Sequence, residues 1–227
     1  MKATPEAALV LLSGGQDSTT CLAWALKHFR RVEAATIDYG QRHRVELEAA
    51  AAIARAAGVA QRVIPCDSFR ALGGNALTGD EAVAPGVRAA NQLPNTFVPG
   101  RNLIFLSLAA AWAYQLGISE LVTGVCQTDS SGYPDCLADT MDALQQALRC
   151  GMDAPFTIHT PLMHLTKAQT VAMLRDLGGL HLLALSHTCY NGQRPPCGIC
   201  PACVLRAKGF DEARIADPLI ATTPPRH

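Results

Sequence analysis

Net charge is what this chain most plainly lacks: nineteen Lys and Arg balance nineteen Asp and Glu. A balance of zero gives no global field to draw the protein to nucleic acid or to an anionic membrane surface, although a local basic patch stays compatible with it. No apolar run approaches the ~18 residues of a membrane-spanning helix. The apolar stretch near the start, Ala7–Leu12, is too short for a secretory signal and leads straight into Gly14-Gly15-Gln16-Asp17. A cytoplasmic protein is expected. Internal repeats and low-complexity tracts are missing as well. The 227 residues, 49% of them apolar, therefore suffice for one sizeable domain with a full core, or for one domain with an appendage.

Cysteine is not scarce. Of nine, Cys21, Cys66, Cys126, Cys136 and Cys150 are scattered, and Cys189, Cys197, Cys200 and Cys203 cluster near the C-terminal end. A secreted disulfide framework would spread its cysteines through a small, core-poor chain, so the cluster points to metal instead. Two overlapping CxxC steps and a fourth cysteine suit tetrahedral Zn²⁺ with no open position, hence a structural site. Four thiolates on Zn²⁺ leave about −2 of charge, which Arg194, Arg206 and Lys208 lie close enough in sequence to offset. A redox pair and an iron–sulfur cluster are the alternatives. Cys21 reads as a buried helix residue, and Cys126 and Cys136 flank a loop where a catalytic thiol stays open.

Apolar β-branched runs alternate with Ala/Leu-rich helical patterns. Strands are expected at Ala7–Leu12, Val32–Ile37, Arg62–Pro65, Glu120–Val125 and from Thr157 to His159. Helices are expected over Thr19–His28, Val45–Ala57, Leu103–Leu116 and most of Pro134–Arg149. Another starts at Thr166, with Gln169 completing a capping box, and runs to about Leu177. Residues 68–100, rich in Gly, Pro and Asn, read as a long loop or insertion, and the tail from Ala221 reads as frayed. Strand–helix alternation implies a doubly wound parallel sheet with helices on both faces. Such sheets bind ligands at the carboxyl ends of their strands, near the topological switch point.

The first strand runs into Ser13-Gly14-Gly15-Gln16-Asp17-Ser18-Thr19. Glycine at a strand-to-helix turn lets backbone N–H groups approach an anion, and the helix N-terminus adds free donors and partial positive charge. Ser13, Ser18 and Thr19 would add hydroxyl donors. The spacing is neither GxxxxGK[ST] nor GxGxxG. An ordinary turn capped by Asp17 or Ser18 would explain a lone Ser-Gly-Gly, but less readily the whole string. Further chemistry-bearing residues fall where ligands bind. Asp38, Tyr39 and Gly40 end the second strand, Arg101 and Asn102 start a buried helix, and Asp129, Tyr133 and Asp135 sit in the loop after the fourth strand. Each also has a plain reading. Arg101 and Asn102 could satisfy local backbone, Asp38 could form a turn, Asp129 and Asp135 could be loop and N-cap residues, and Tyr133-Pro134 could be a packed turn. His43 and His187 read as surface or supporting residues.

The first of these strings resembles the pyrophosphate loop of the N-type ATP pyrophosphatases. The ordered set SGGQDSTTCL, DYGQRH, VPGRN, GVCQTDSSGYPDC, TPL and TCYNG…CGICPAC resembles the 7-cyano-7-deazaguanine synthases of that superfamily over nearly the whole chain. Ser130 stands where that family often has an aromatic residue, which bears on substrate fit. Pro201-Ala202 fill the last CxxC gap. The resemblance implies a Rossmann-like, HUP-type α/β domain over residues 1–185 and a zinc-binding segment over residues 186–227. It implies ATP, Mg²⁺ and structural Zn²⁺, with 7-carboxy-7-deazaguanine and ammonia as substrates, no nucleic acid or membrane partner, and a homodimer. Catalysis would fall to Asp17, Ser18, Arg101 and Asp129. Leu12, Ser13, Gly14, Gly15, Gln16, Asp17, Ser18, Thr19, Thr20, Asp38 and Gly124 would hold the nucleotide. Tyr39, Asn102, Tyr133 and Asp135 would hold the deazaguanine, and Cys189, Cys197, Cys200 and Cys203 the zinc. The rivals are another adenylylating enzyme on the same fold, acting in tRNA thiolation or deazaguanine–protein conjugation, and a non-enzymatic zinc module with a vestigial loop.

Overall fold

The structure, a computed structural model, describes residues 6–41, 44–72, 93–128 and 132–221. In chain order its elements are β1 (Ala7–Leu11), α1 (Gln16–His28), β2 (Arg31–Asp38), α2 (Val45–Ala56), β3 (Ala60–Pro65), α3 (Ser68–Leu72), α4 (Arg101–Gln115), β4 (Glu120–Val122), α5 (Ala138–Met152), β5 (Thr157–His159), α6 (Lys167–Asp176), α7 (Pro201–Ala213) and α8 (Pro218–Ala221). The five strands form one parallel sheet in the order β3-β2-β1-β4-β5. β1 sits at its centre and is apolar at every position, as a strand covered on both faces must be.

Alternation along β1 sorts the core into two layers. Ala8, Val10 and the following Leu12 pack with Leu22 and Ala25 of α1 and with Ala50 and Ile53 of α2. Ala7 and Leu9 face the other way, onto Ala109, Ala110 and Ala113 of α4 and Leu148 of α5. Small alanines on α4 bring that helix close to the sheet. The expected α/β class, with helices on both faces, is therefore the observed one. Among the described residues no helix is long and apolar enough to cross a membrane.

Several boundaries differ from the sequence reading. α1 begins at Gln16 rather than Thr19, because Gly15 is already the N-cap and needs no side-chain cap. α4 begins two residues early, at Arg101, since its first turn is capped from a distant segment: the Asn102 N–H donates to Asp135 Oδ2 (3.0 Å). β4 stops at Val122, and the run 134–149 divides into a 3₁₀ turn (Pro134–Cys136) and then α5. Within the expected loop 68–100, residues 68–72 form α3, and residues 73–92 lie outside the described residues. The Thr166–Gln169 capping box is present on α6 as expected.

The C-terminal segment is more helical than its cysteine spacing suggests. α7 starts inside the last CxxC step, with Pro201 at its first position where a missing N–H costs nothing. Phe210 of α7 and Val171 and Leu174 of α6 pack on Ala23 of α1, which joins this segment to the sheet domain. Arg206 ties the segment together. Its guanidinium is only 4% exposed and pairs bidentately with Asp217 (2.6 and 2.8 Å), while also donating to Ser186 Oγ (2.8 Å) and Thr188 Oγ1 (2.9 Å). The expectation that Arg206 and Lys208 would offset cysteine charge is thus replaced by other partners, Asp217 for Arg206 and Glu212 for Lys208.

Removing one partner of such a buried pair leaves an uncompensated charge. Arg206→Ala should lower unfolding free energy by about 3–5 kcal/mol, measured by urea denaturation, whereas Lys208→Ala, on an exposed pair, should change it little.

Candidate active site

From β1 the sheet grows in opposite directions, toward β2 and β3 on one side and toward β4 and β5 on the other. Loops at the carboxyl ends of β1 and β4 diverge at this switch point and leave a crevice. A cavity of about 330 Å³ opens there, large enough for a small ligand.

Its floor is the turn from β1 to α1. Thr36 Oγ1 donates to the Leu12 carbonyl (2.6 Å) and accepts from Gln61 Nε2 (2.7 Å), which fixes the end of the strand. Gly14 then adopts φ +86°, and a Cβ there would lie 2.5 Å from the Glu46 carbonyl oxygen and 2.7 Å from the Ala50 nitrogen. The residue must be glycine because α2 passes behind it. Gly124, at the end of β4, approaches the first turn of α1 nearly as closely: a Cβ would meet the Ser18 nitrogen at 3.1 Å. His187 closes the third side, its N–H donating to the Gly14 carbonyl (2.9 Å).

The hydroxyls of this turn do not face outward as the sequence reading expects. Ser13 Oγ donates to Ser18 Oγ (3.0 Å), and Ser18 Oγ donates to the Gly15 carbonyl (3.0 Å). Thr19 Oγ1 donates to the same carbonyl (2.8 Å), and Thr20 Oγ1 to that of Gln16 (3.0 Å). They fold the turn around itself and leave the first-turn N–H groups of α1, which have no helical acceptor, as the donors for an anion.

Two buried polar atoms of that turn have no partner, Gln16 Nε2 and Asp17 Oδ1. Asp17 Oδ2 pairs with Lys167 Nζ at 2.5 Å, with the lysine side chain 12% exposed. A carboxylate at an anion site would repel a phosphate. Lys167 neutralises it, and a divalent cation on Oδ1 would make the site net attractive. The atoms present therefore fit a phosphate with its metal ion.

The opposite wall carries Arg101. Burial opposes its charge, but Tyr39, Tyr190, Asp135 and Tyr133 around it more than offset this and hold the guanidinium protonated. Burial likewise pushes the Tyr39 phenol up to about 12 and raises Tyr190 and Tyr133. The Tyr133 hydroxyl shares a 2.6 Å hydrogen bond with Thr96 Oγ1. Asn102 Nδ2 donates to Cys136 Sγ (3.3 Å).

Of the residues singled out from sequence, Leu12, Ser13, Gly15, Gln16, Asp17, Ser18, Tyr39, Arg101, Asn102, Gly124 and Tyr133 line this one cavity. Gly14, Thr19 and Thr20 support it from behind. Asp38 is not among the lining residues: its carboxylate accepts from the Gly40 N–H (3.4 Å) and pairs with Arg44 (3.3 Å), so it closes the turn after β2. Asp135 caps α4 rather than lining the cavity. Asp129 lies outside the described residues, as do Ser130 and His43. Cys126 and Cys136 both line the cavity. Sequence reasoning missed Glu46, Lys167 and Tyr190, which also line it. Lys167 had a usable signal, since a cation in the first turn of a helix opposes the macrodipole and has no local reason to be there.

The four clustered cysteines converge. One sulfur from each of Cys189, Cys197, Cys200 and Cys203 lies within 4.8 Å of all the others. The Cys200 N–H donates to Cys197 Sγ (3.3 Å), and the Cys197 N–H to Cys189 Sγ (3.5 Å). Such N–H···S bonds favour thiolates, and the set could hold a metal ion.

Comparison with known proteins agrees with this geometry. The family model described as "Queuosine biosynthesis protein QueC" matches residues 7–214. A 7-cyano-7-deazaguanine synthase of Chromobacterium violaceum is 62% identical over 223 residues, covering 96% of this chain and 95% of that protein. Another, of Laribacter hongkongensis, is 61% identical over 218 residues, 95% of each chain. Among solved structures, a 4-thiouridine synthetase in complex with RNA and ATP superposes with TM-score 0.50 at 16% identity. The match covers 92% of this chain and 50% of that one, and it speaks for the fold alone.

Gly14→Ala combines a left-handed backbone with a clash against α2. It should destabilise the fold by more than about 1 kcal/mol and abolish binding of inorganic pyrophosphate, read by thermal unfolding and calorimetry. Gly58→Ala, at φ +67° with open space around it, should cost stability without affecting pyrophosphate.

Proposed function

We propose, from the fact that this chain belongs to the QueC family of queuosine biosynthesis proteins, that it converts 7-carboxy-7-deazaguanine, ammonia and ATP into 7-cyano-7-deazaguanine. A carboxylate oxygen is a poor leaving group. In the first half the substrate carboxylate attacks the α-phosphorus of ATP, pyrophosphate leaves, and ammonia displaces AMP to give the amide. In the second half the amide oxygen is adenylylated in turn, and loss of AMP gives the nitrile.

The observation that carries this reading is the facing of an anion-binding helix N-terminus and a buried guanidinium across one cavity. The turn Ser13–Ser18 holds the ATP phosphates through backbone N–H groups. Asp17 would hold Mg²⁺ through Oδ1, and the ion would supply charge screening for the leaving pyrophosphate. Lys167 keeps Asp17 in place. Arg101 neutralises the substrate carboxylate, and Tyr39, Asn102 and Tyr133 bound the deazaguanine, with Asp135 positioning Arg101 through the α4 cap. Asp129 remains assigned to catalysis by family resemblance. Catalysis is then mostly positioning and charge stabilisation.

We assign Zn²⁺ to the four cysteines, in a closed structural site, and treat residues 186–227 as a zinc-binding segment packed on an α/β domain of residues 1–185. Zero net charge gives no global field for RNA, which weighs toward a small-molecule enzyme over tRNA thiolation. Cytoplasmic location and a homodimer complete the proposal, the latter on family resemblance only.

Incubation with Mg-ATP, ammonium and 7-carboxy-7-deazaguanine, followed by mass spectrometry, should yield the nitrile and AMP. No AMP above background would overturn the reading, and amide without nitrile would restrict it to the first half. Asp17→Ala should reduce turnover roughly 10²-fold or more. Stripping the metal with a chelator should lower the melting temperature and pyrophosphate release together, because His187 and Cys189 are near neighbours in the segment that holds Gly14. Elemental analysis before chelation should find one zinc per chain.

A further inference from the structure

Among the carboxylates around the cavity, Asp17 pairs with Lys167, Asp38 pairs with Arg44, and Asp135 accepts the Asn102 N–H. Glu46 is different. It is half-buried and lines the cavity, and no side-chain hydrogen bond or ion pair among the described residues ends on its carboxylate. The first turn of α2 places it there, directly behind the phosphate turn, with its backbone oxygen against Gly14. The groups that face it come from three other parts of the chain: Arg101 from α4, Tyr39 from the end of β2, and Tyr190 from the C-terminal segment.

The proposed reaction, on which this inference rests, must dispose of protons on nitrogen inside this cavity. When ammonia attacks the acyl adenylate, the new C–N bond leaves nitrogen positively charged. The adenylylated amide carries two more N–H protons that must leave before a nitrile exists. Few cavity groups can accept them. Tyr39 and Tyr133 are held protonated, Arg101 keeps its charge, and Lys167 is bound to Asp17. The Nε2 of His187 lies 2.9 Å from the Cys189 carbonyl. Cys126 contacts Thr128 and the Leu165 carbonyl, and Cys136 accepts from Asn102.

We propose that Glu46 is the general base that removes protons from nitrogen in both halves of the reaction. In the first half the ammonia lone pair forms the C–N bond, the C–O bond breaks with its electrons going to AMP, and the surplus N–H proton passes to Glu46. In the second, loss of the first proton leaves its electron pair on nitrogen, and the second N–H pair becomes the third C–N bond as the C–O bond breaks with its electrons going to AMP. Glu46 takes one proton, releases it to water, and takes the other. Burial lifts the Glu46 carboxyl to about 7, with Arg101 pulling it back, and a base with that value is matched to neutral pH.

Adenylylation of the substrate carboxylate transfers no proton from nitrogen, so it separates this role from binding. The test compares wild type with Glu46→Gln in two assays on the full chain. One is exchange of labelled pyrophosphate into ATP, driven by 7-carboxy-7-deazaguanine without ammonia. The other is amide and nitrile formation with ammonium across pH 6–9. The variant should keep exchange within a few-fold of wild type and lose amide formation by roughly 10²–10⁴-fold. At constant free ammonia, wild-type amide formation should rise with pH through about 7 as the carboxylate ionises, and the variant should lack that rise. Loss of both activities would overturn the inference and make Glu46 a binding residue. Retention of both would overturn it equally. Absence of exchange in wild type would instead overturn the adenylylation reading beneath it.

Discussion

The bare Cα of Gly14 against the backbone of α2 is the contact to which the rest of the site is referenced. Because no side chain separates them, the turn after β1 is located by the backbone of another element rather than by packing that can adjust. Gly124 brings β4 against the opposite side of the same turn. The first-turn N–H groups of α1 therefore hold their direction before any ligand arrives, and little reorganisation is left for the moment of reaction.

Charge in the cavity is arranged in opposed pairs of unequal completeness. Asp17 and Lys167 form a close pair that leaves one carboxylate oxygen over. Arg101 is buried among phenols that stay neutral, with Asp135 engaged on the cap of its helix. Such incompleteness is costly to a fold and is offset elsewhere, here by the dense layers on both faces of β1. It is also what distinguishes this cavity from an ordinary crevice at a switch point.

Much of this was legible in the sequence. Strand–helix alternation predicts the parallel sheet, and β1, β5 and the Thr166 cap lie where the pattern puts them, because local chemistry determines them. The turn Ser13–Ser18 and Arg101 are also found where expected, at the ends of elements. What was not legible depends on partners distant in sequence. The hydroxyls of Ser18 and Thr19 read as ligand donors until their backbone acceptors are seen. Asp135 reads as a substrate residue until it is seen capping α4. Glu46 carried an unused signal: at helical spacing it shares the face of α2 that buries Ala49, Ala50 and Ile53, whereas Glu48 is exposed. Which cavity that face borders depends on the contact with Gly14.

The hydrogen bond from His187 to the Gly14 carbonyl joins points far apart in the sequence. On the ribosome the turn after β1 emerges long before its brace. A nascent chain thus carries the whole turn before His187 is there to hold it in shape. A chain ended by a premature stop before residue 187 would carry the most recognisable motif in the sequence and lack the clamp that closes it.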